Sequence, residues 1–332
     1  MAASAAYTEE MVRGLLARSG ASQRPPERIR LIADTTDFFG VESDDVLVLD
    51  GTPYLIRNYE REGRFGLDDE PKYWVRRAID LLDGSTRVLK FEFHEEFETR
   101  IGGVSIRRFR SPRKEARILD LVRGQRHFMQ GRWALDGAGN NVRILEFIRG
   151  RRYDQVAVAA GDDHEDFFHR HFPAVLEDFV GLVRAIKFLH DRGEKHGDIR
   201  RDHIICDRDS GVNRWIDFDY DYVHGESLFS FDLQGLGNIL IFLAGRGDVL
   251  LPELRREQPA VHARLTRDDL SIAFNHRVAN LQKVFPYVPD SLNRVLLHFS
   301  EGAGLFYDAA DQLLEDLAAA QADVTAATGR RT

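Results

Sequence analysis

The sequence predicts an α+β protein with a strand-rich first part and a helical second part. Three Asp-Gly pairs separate alternating apolar segments before residue 148, which indicates β-hairpins because such pairs adopt the positive φ of tight turns. The three turns are Asp50-Gly51, Asp83-Gly84 and Asp136-Gly137. Beyond Gly150, apolar side chains recur at helical spacing between Leu176 and Leu189, which predicts an amphipathic helix.

Residues 1–43 are predicted to form a helical extension whose second helix spans 27–39. The strand-rich part follows at 44–149, because apolar and polar residues alternate there between turn signals. Its strands are expected at 46–49, 54–59, 73–79, 87–93, 133–135 and 142–147. One helix interrupts these strands from Ser111 onward, since the apolar residues after it recur at helical spacing.

The helical part is predicted at 150–320. Pro173 suits the first turn of its long helix, where the backbone N–H that proline lacks has no helical partner. A strand-rich interlude is expected at 204–218, and a further helix at 232–243. Residues 321–332 are expected to form a loose tail, because chain ends are poorly ordered unless they are tied down.

Composition and charge exclude several classes of protein. The 332 residues carry a net charge of −8, whereas nucleic-acid-binding domains usually present a basic surface, so no nucleic-acid partner is expected. The longest nearly apolar run, residues 236–244, is far shorter than the ~20 residues of a membrane-spanning helix. No basic segment followed by an apolar one occurs at the N-terminus, so no signal peptide is expected. A single cysteine, Cys206, forms no intramolecular disulfide and fits a cytoplasmic location.

The segment with the clearest chemistry follows the long predicted helix. His196, Gly197 and Asp198 form a polar loop, and Asp217 follows two apolar residues after a short hairpin. Two carboxylates therefore leave neighbouring strand and loop ends. One carboxylate can orient an attacking hydroxyl while the other holds a divalent metal, and phosphoryl transfer depends on such positioning and charge neutralisation.

This segment resembles the catalytic loop of the protein-kinase-like superfamily. The family pattern is His-Arg-Asp, four residues, Asn, and then Asp-Phe-Gly downstream. The corresponding residues here are His196, Gly197, Asp198, His203, Asp217, Phe218 and Asp219. The His-Gly-Asp form is similar to the loop of aminoglycoside phosphotransferases and choline kinases.

The resemblance implies a role for each of these residues. Asp198 corresponds to the catalytic aspartate, Asp217 to the aspartate that holds Mg²⁺, and His203 to the second metal-side residue, with Mn²⁺ as an alternative metal. A neutral imidazole can ligate a metal, although Mg²⁺ prefers oxygen ligands. His196 is expected to brace the loop rather than to react. Asp219 stands where glycine is usual, and either a metal ligand or a turn cap would explain it.

The strand-rich part contains the nucleotide-binding elements that the resemblance implies. Lys90, one of six lysines, lies mid-strand, and Glu115 opens a helix 25 positions later, so the pair is expected to clamp the phosphates of ATP. The other nucleotide-binding residues are expected in the phosphate-covering loop and the adenine-binding hinge, at Gly63, Gly66, Glu146 and Phe147.

Two further segments extend the resemblance. Asp232 resembles the buried aspartate that braces the catalytic loop, and residues 306–317 resemble the last helix of serine/threonine kinases. The resemblance covers about residues 45–318. It implies a two-lobed protein-kinase-like fold with a β-rich N-lobe and an α-helical C-lobe.

These features predict a kinase-like phosphotransferase that moves the γ-phosphate of ATP to a hydroxyl of a small molecule or a protein. Only 15 positions separate Asp217 from Asp232, and no Ala-Pro-Glu occurs, so a non-peptide or atypical acceptor is favoured over a peptide bound to a long activation segment. The C-terminal helices favour the alternative of a serine/threonine protein kinase. His203, Asp219 and the missing first loop glycine motivate a third alternative, a pseudokinase that acts as a nucleotide-binding or scaffold module.

Two other patterns have plainer interpretations. A basic run precedes Glu115, and a solvated arm is favoured over a site for an anionic partner. The run consists of Arg100, Arg107, Arg108, Arg110 and Arg113. The acidic stretch at 162–171 contains three histidines, but their spacing matches no zinc motif, so a solvated loop is expected there.

Overall fold

The computed structural model describes residues 7–19, 28–62, 70–101, 103–223 and 227–329. Two compact units are formed, and neither is continuous in sequence. The first comprises Met1–Glu95, Arg110–Gln125 and Met129–Ile148, and the second comprises Glu96–Phe109, Arg126–Phe128 and Arg149–Thr332. The segment before residue 44 therefore belongs to the first unit, and Glu96–Phe109, which carries the first three arginines of the basic run, belongs to the second.

In the described segments most strands come before residue 153, and most helices come after it. The strands are β1 (Leu31–Ile32), β2 (Val46–Leu49), β3 (Thr52–Glu62), β4 (Glu70–Asp80), β5 (Thr86–Lys90), β6 (Glu96–Ile101), β7 (Val104–Arg110), β8 (Gly131–Leu135), β9 (Asn141–Glu146), β10 (Gly150–Arg152), β11 (Ile204–Asp207), β12 (Asn213–Trp215) and β13 (Tyr220–Val223). The helices are α1 (Glu9–Ser19), α2 (Pro112–Leu121), α3 (Tyr153–Ala157), α4 (His164–Arg170), α5 (Phe172–His190), α6 (Ser230–Ala244), α7 (Leu251–Glu257), α8 (Pro259–His262), α9 (Asp290–Leu297) and α10 (Ala310–Gly329).

One sheet dominates the first unit. Within the described residues it has seven strands, in the order β1-β2-β3-β4-β5-β9-β8. Each neighbouring pair is antiparallel except β1 and β2. Asp50 and Gly51 connect β2 to β3 with φ angles of 48° and 76°, the left-handed conformation that a two-residue hairpin turn requires. The hairpins predicted around the three Asp-Gly pairs are confirmed.

The segment predicted as a helix at 27–39 contains no α-helix where it is described, so that prediction is wrong. β1 pairs in parallel with β2, and Arg30 donates two hydrogen bonds to the carboxylate of Asp45, at 2.8 and 2.5 Å. Only Phe38–Gly40 forms a short 3-10 turn. Strand β2, which pairs with β1, and the carboxylate of Asp45, which binds Arg30, both lie outside residues 27–39. The conformation of the segment therefore depends on these partners and not on the helical spacing of its own residues.

α1 and α2 both belong to the first unit. α1 buries Val12 and Leu16 in an apolar cluster that also contains Leu55. α2 begins after Ser111, whose hydroxyl accepts a hydrogen bond from the backbone amide of Lys114 at 3.3 Å. This cap fixes the start of α2 and thereby places Glu115 in its first turn.

α5 and α6 pack together in the second unit. The apolar stripe predicted between Leu176 and Leu189 is confirmed as the buried face of α5. α6 approaches the segment after α5 very closely, because a Cβ built on Gly235 would lie 2.7 Å from both Cβ and the carbonyl oxygen of Ile199. Only glycine fits this contact, so α6 supports the polar loop directly.

The C-terminal helix is longer than the sequence analysis expected. α10 continues to Gly329 and buries Ala320 and Val324, so the loose tail predicted at 321–332 is wrong for 321–329. The periodic alanines and apolar residues of this segment pack on α5 and α9, which ties the chain end down. No helix within the described segments is long and apolar enough to cross a membrane.

Most of the basic run lies on the hairpin of β6 and β7 rather than on a solvated arm, and Arg113 lies in α2. β6 and β7 pair antiparallel, and β7 also pairs with β13. Alternation along β7 buries Ile106, Arg108 and Arg110 and exposes Arg107. The expectation of a solvated arm is therefore wrong for Arg108 and Arg110, because the face that carries them is covered.

The histidine-containing stretch at 162–171 is helical and partly buried, contrary to the solvated loop that was expected. The ring of His164 stacks on Phe285 with 3.5 Å between ring centroids. Its Nδ1 lies 2.8 Å from the hydroxyl of Tyr287, and its Nε2 lies 2.9 Å from the carbonyl oxygen of Ala244. Burial lowers the pKa of His164 to about 4.

The low pKa of His164 predicts a pH-dependent loss of stability. Unfolding restores an ordinary pKa near ~6.5, so between about pH 6.5 and about pH 4 the unfolded chain binds one more proton and stability falls as the pH falls. From pH 7 to pH 5 the loss from this residue is about 2 kcal/mol. We expect urea unfolding of a His164→Phe variant to lose less stability over this range than the wild type. Equal losses in the two proteins would contradict the prediction.

Candidate active site

The loop between α5 and β11 carries the polar residues that the sequence singled out. It begins after His190 and ends in a short 3-10 turn at Arg201–His203. Gly197 has a φ angle of 85°, a left-handed conformation that glycine adopts without a steric cost. A side chain at this position would strain the backbone immediately before Asp198, which explains the glycine there.

Asp232, in the first turn of α6, fixes the start of this loop. Its carboxylate accepts hydrogen bonds from the backbone amides of His196 at 2.7 Å and Gly197 at 2.9 Å, and it lies 3.1 Å from Nε2 of His190. Burial favours a raised pKa, but the hydrogen bond and charge of His190, the charge of His196 and the Gly197 amide together lower the pKa of Asp232 below its ordinary value. An ionised, fully buried carboxylate therefore holds the loop.

The structure brings Asp198, His203 and Asp217 together. Nδ1 of His203 lies 2.9 Å from the backbone carbonyl oxygen of Asp198 and 3.5 Å from its carboxylate. Nε2 of the same ring lies 3.6 Å from the carboxylate of Asp217. Asp217 has a φ angle of 62°, and a non-glycine residue in this conformation costs about 1 kcal/mol or more. Strain of this kind is typical of positions where function dictates the backbone.

His196 and Asp219 flank this group and are both completely buried. The ring of His196 packs edge-on against Trp215 and Phe218, at centroid distances of 5.1 and 5.3 Å, and its Nδ1 lies 3.3 Å from the amide of Asp198. These are contacts of a bracing side chain. Within the described segments, no group of three or more His, Cys, Asp or Glu side chains is arranged to hold a metal ion.

Lys90 and Glu115 meet inside the first unit. Nζ of Lys90 lies 2.9 Å from Oε1 of Glu115, and both side chains are almost fully buried. The second oxygen of Glu115 accepts a hydrogen bond from Nε of Arg143 at 3.0 Å. The other nitrogens of this guanidinium donate to the carbonyl oxygens of Asn141 and Phe91, at 2.8 and 3.0 Å. One carboxylate therefore binds two buried cations, of which the sequence analysis identified only Lys90.

The remaining predicted nucleotide-binding residues are partly described. The carboxylate of Glu146 accepts a hydrogen bond from the backbone amide of Gln130 at 2.7 Å, and the ring of Phe147 lies 4.7 Å from the guanidinium of Arg77. Both residues are thus engaged within the first unit, at the end of β9. Gly63 and Gly66 lie outside the described residues.

Arg108 is the second residue that the sequence analysis missed. Its Nη2 lies 2.5 Å from the carboxylate of Asp198 and 3.1 Å from the carbonyl oxygen of Gly197. The signal was present in the alternation of β7, where Arg108 shares a face with the apolar Ile106. The four other arginines of the run concealed it, because a basic run is usually a solvated surface.

Comparisons with known proteins agree with this architecture. No family model and no curated protein matches the chain. Among solved structures, the chain is similar to the BubR1 kinase domain, with a TM-score of 0.50 and 16% identity over 98% of this chain and 97% of that chain. It is also similar to Rad53 residues 1–466 in complex with AMP-PNP, with a TM-score of 0.41 and 14% identity over 79% of this chain and 64% of that chain. The chain therefore has a protein-kinase-like α+β fold, as its sequence predicts.

Proposed function

We propose that the protein is a phosphotransferase that moves the γ-phosphate of ATP to a hydroxyl group. The observation that supports this most is the group in which His203 lies between the carboxylates of Asp198 and Asp217, at 3.5 and 3.6 Å. Phosphoryl transfer needs one carboxylate to orient the attacking hydroxyl and another to hold the metal that neutralises phosphate charge. This group contains both.

Each unit has a separate task in the proposed reaction. In the first unit, Lys90 neutralises phosphate charge while Glu115 and Arg143 fix its position. In the second unit, Asp198 accepts a hydrogen bond from the acceptor hydroxyl and takes its proton as the hydroxyl oxygen bonds to the γ-phosphorus, while the bond from that phosphorus to the bridging oxygen breaks and ADP leaves. His196 and Asp232 hold the loop so that the Asp198 carboxylate keeps its orientation.

The residues around Asp217 fit a divalent cation such as Mg²⁺ or Mn²⁺. Nδ1 of His203 is close to a carbonyl oxygen, which only accepts, so Nδ1 carries a hydrogen, and in the neutral form of the ring the lone pair is therefore on Nε2. That lone pair faces the Asp217 carboxylate at 3.6 Å, and a shared cation would suit both groups. Asp217 and His203 would hold the ion. When bound, the ion would neutralise phosphate charge.

The short connection after Asp217 favours a non-peptide or atypical acceptor. Asp217 and Asp232 are only 15 positions apart, and β13 occupies part of this interval and pairs with β7. A strand held in a sheet leaves little chain for a peptide-binding shelf. The alternative of a serine/threonine protein kinase stays open, because the acceptor class depends on loops that vary between phosphotransferases.

A second candidate function is a nucleotide-binding or scaffold module without turnover. One contact favours it: the guanidinium of Arg108 occupies the carboxylate of Asp198 that an acceptor would use. Asp219, in place of the usual glycine, adds a buried carboxylate beside the proposed metal residues.

Separate measurements of binding and transfer test the two candidates. We expect ATP with Mg²⁺ or Mn²⁺ to raise the melting temperature, and ATP radiolabelled in its γ-phosphate to label an acceptor among hydroxyl-bearing small molecules and Ser/Thr peptides. Stabilisation without transfer, across both metals and the whole panel, would favour the binding module. Neither stabilisation nor transfer, with GTP tested as the other nucleotide, would contradict both candidates.

A further inference from the structure

The guanidinium of Arg108 lies in an enclosed site that is built for a cation. Three rings surround it, with their centroids 4.7 to 5.2 Å from the guanidinium carbon, and a carboxylate and a carbonyl oxygen accept its hydrogen bonds. Arg108 is only 8% exposed. We call this site the Arg108 cage, and it consists of Phe97, Tyr220, Phe231, Asp198 and the carbonyl group of Gly197.

The chemistry of the cage matches an alkylguanidinium group in particular. A cation within about 6 Å of an aromatic centroid is attracted by the negative face of the ring, and the attraction grows when water is excluded. A guanidinium is flat and weakly hydrated, so it stacks on rings while its N–H groups reach a carboxylate, which a compact ammonium does less well. In the cage, three rings provide surfaces for stacking, and one carboxylate accepts hydrogen bonds from the N–H groups.

The cage surrounds the carboxylate that the proposed reaction uses. A general base must lie about 2.6 to 3.2 Å from the group whose proton it takes. Nη2 of Arg108 already lies 2.5 Å from Oδ1 of Asp198, so it stands where an acceptor group would approach. Tyr220 and Phe231 belong to the same short interval between Asp217 and Asp232.

Arg108 fills the cage incompletely. Its Nε is buried, yet within the described residues it donates no hydrogen bond. The side chain comes from β7, 90 positions before Asp198, and β7 is held by its pairing with β6 and β13. A guanidinium on a separate ligand is not attached to β7, so it would orient freely toward the same rings and oxygens.

We propose that the Arg108 cage is the acceptor-side binding site for an alkylguanidinium group, and that Arg108 is its intramolecular occupant. The assignment of this site to the acceptor rests on the proposed function, whereas the binding of a cation does not. A ligand that carries an arginine side chain, either as the free amino acid or within a peptide, would displace Arg108. If the ligand also carries a hydroxyl group, as a peptide with a neighbouring serine does, that hydroxyl would lie near Asp198.

An Arg108→Ala variant tests the proposal, with ethylguanidinium as the probe. Ethylguanidinium replaces the atoms that this substitution removes beyond Cβ. We expect it to bind the variant at least about tenfold more tightly than the wild type by calorimetry, and to raise the melting temperature of the variant alone. Ethylammonium at the same concentration is expected to bind more weakly. Equal binding of ethylguanidinium to variant and wild type would overturn the proposal.

Two further variants keep this test decisive. Arg107→Ala removes the exposed neighbour on the other face of β7, so it is the matched control and should not gain a site. If Arg108→Ala does not fold alone, folding that is restored by ethylguanidinium and not by ethylammonium supports the cage, and failure of both cations overturns it. An Arg108→Gln variant preserves part of the packing, so its folding depends less on an added cation. The binding of ethylguanidinium and of ethylammonium is compared in this variant in the same way.

The same experiment separates this inference from the proposed function, because cation binding is measured without nucleotide. Binding without any phosphoryl transfer would leave the cage in place and contradict the phosphotransferase. Transfer to hydroxyl compounds without cation binding would overturn the cage and leave the proposed phosphotransferase in place. Free L-arginine and a tetrapeptide with one central arginine distinguish the two sources of the group, according to which one competes with ethylguanidinium.

Discussion

Replacement of Asp198 by asparagine is expected to lower phosphoryl transfer about 10²- to 10⁴-fold while nucleotide affinity stays nearly unchanged. Asparagine keeps the shape of the side chain and one oxygen that accepts a hydrogen bond from Arg108, but it takes no proton from an acceptor. The rate of label transfer and the ATP-induced shift in melting temperature measure the two effects separately.

Asp209→Asn is the matched control for this prediction. Asp209 is an exposed carboxylate between β11 and β12, so its loss should leave both readouts at the wild-type level. Unchanged transfer in Asp198→Asn would show that this carboxylate is not the base. A parallel fall in nucleotide binding would show that the substitution acts on the fold of the loop instead.

Replacement of Glu115 by glutamine is expected to destabilise the protein by about 3 to 5 kcal/mol. Glu115 is the anion that binds both Lys90 and Arg143, and all three side chains are almost fully buried. The substitution replaces this carboxylate by a neutral amide, so the buried charges of Lys90 and Arg143 lose the counter-charge of Glu115. Lys90→Met is expected to cost clearly less, because Glu115 then still forms its ion pair with Arg143. Urea unfolding of the two variants measures this order.

Both substitutions should abolish phosphoryl transfer, so activity alone does not distinguish them. The stability order does, and Lys187→Met provides the control. Lys187 forms an i,i+4 pair with Asp191 on the surface of α5, and its removal is expected to cost far less than either buried substitution. If Lys90→Met proves as destabilising as Glu115→Gln, Arg143 does not compensate for the lost cation.

Local chemistry made the hairpins and the long helices predictable. The turn at Asp50 and Gly51 needs two left-handed residues, and few residue types other than these adopt that conformation at low cost. The buried stripe of α5 follows from spacing alone, because apolar residues three and four positions apart share a helix face. The contact between Asp198 and His203 is also local, because the two residues are only five positions apart in the chain.

Segments whose partners are distant in sequence were predicted less well. The residues around Arg30 were expected to be helical, but their hydrogen bonds go to β2 and Asp45. The alanine-rich end of α10 was expected to be loose, because the sequence does not show that α5 and α9 cover it. Nothing local distinguishes such a segment from an exposed one.

The sequence by itself determined the fold class, the order of the motifs and the pairing partners that lie within one loop or one turn. Only the tertiary structure decided that Glu115 binds a second cation, Arg143, and that Arg108 lies on Asp198 among three rings. The reason is that an arginine in an alternating strand looks the same in sequence whether its face is solvated or covered. Its partner 90 positions away fixes that choice, and strand pairing between β7 and β13 brings the partner within reach.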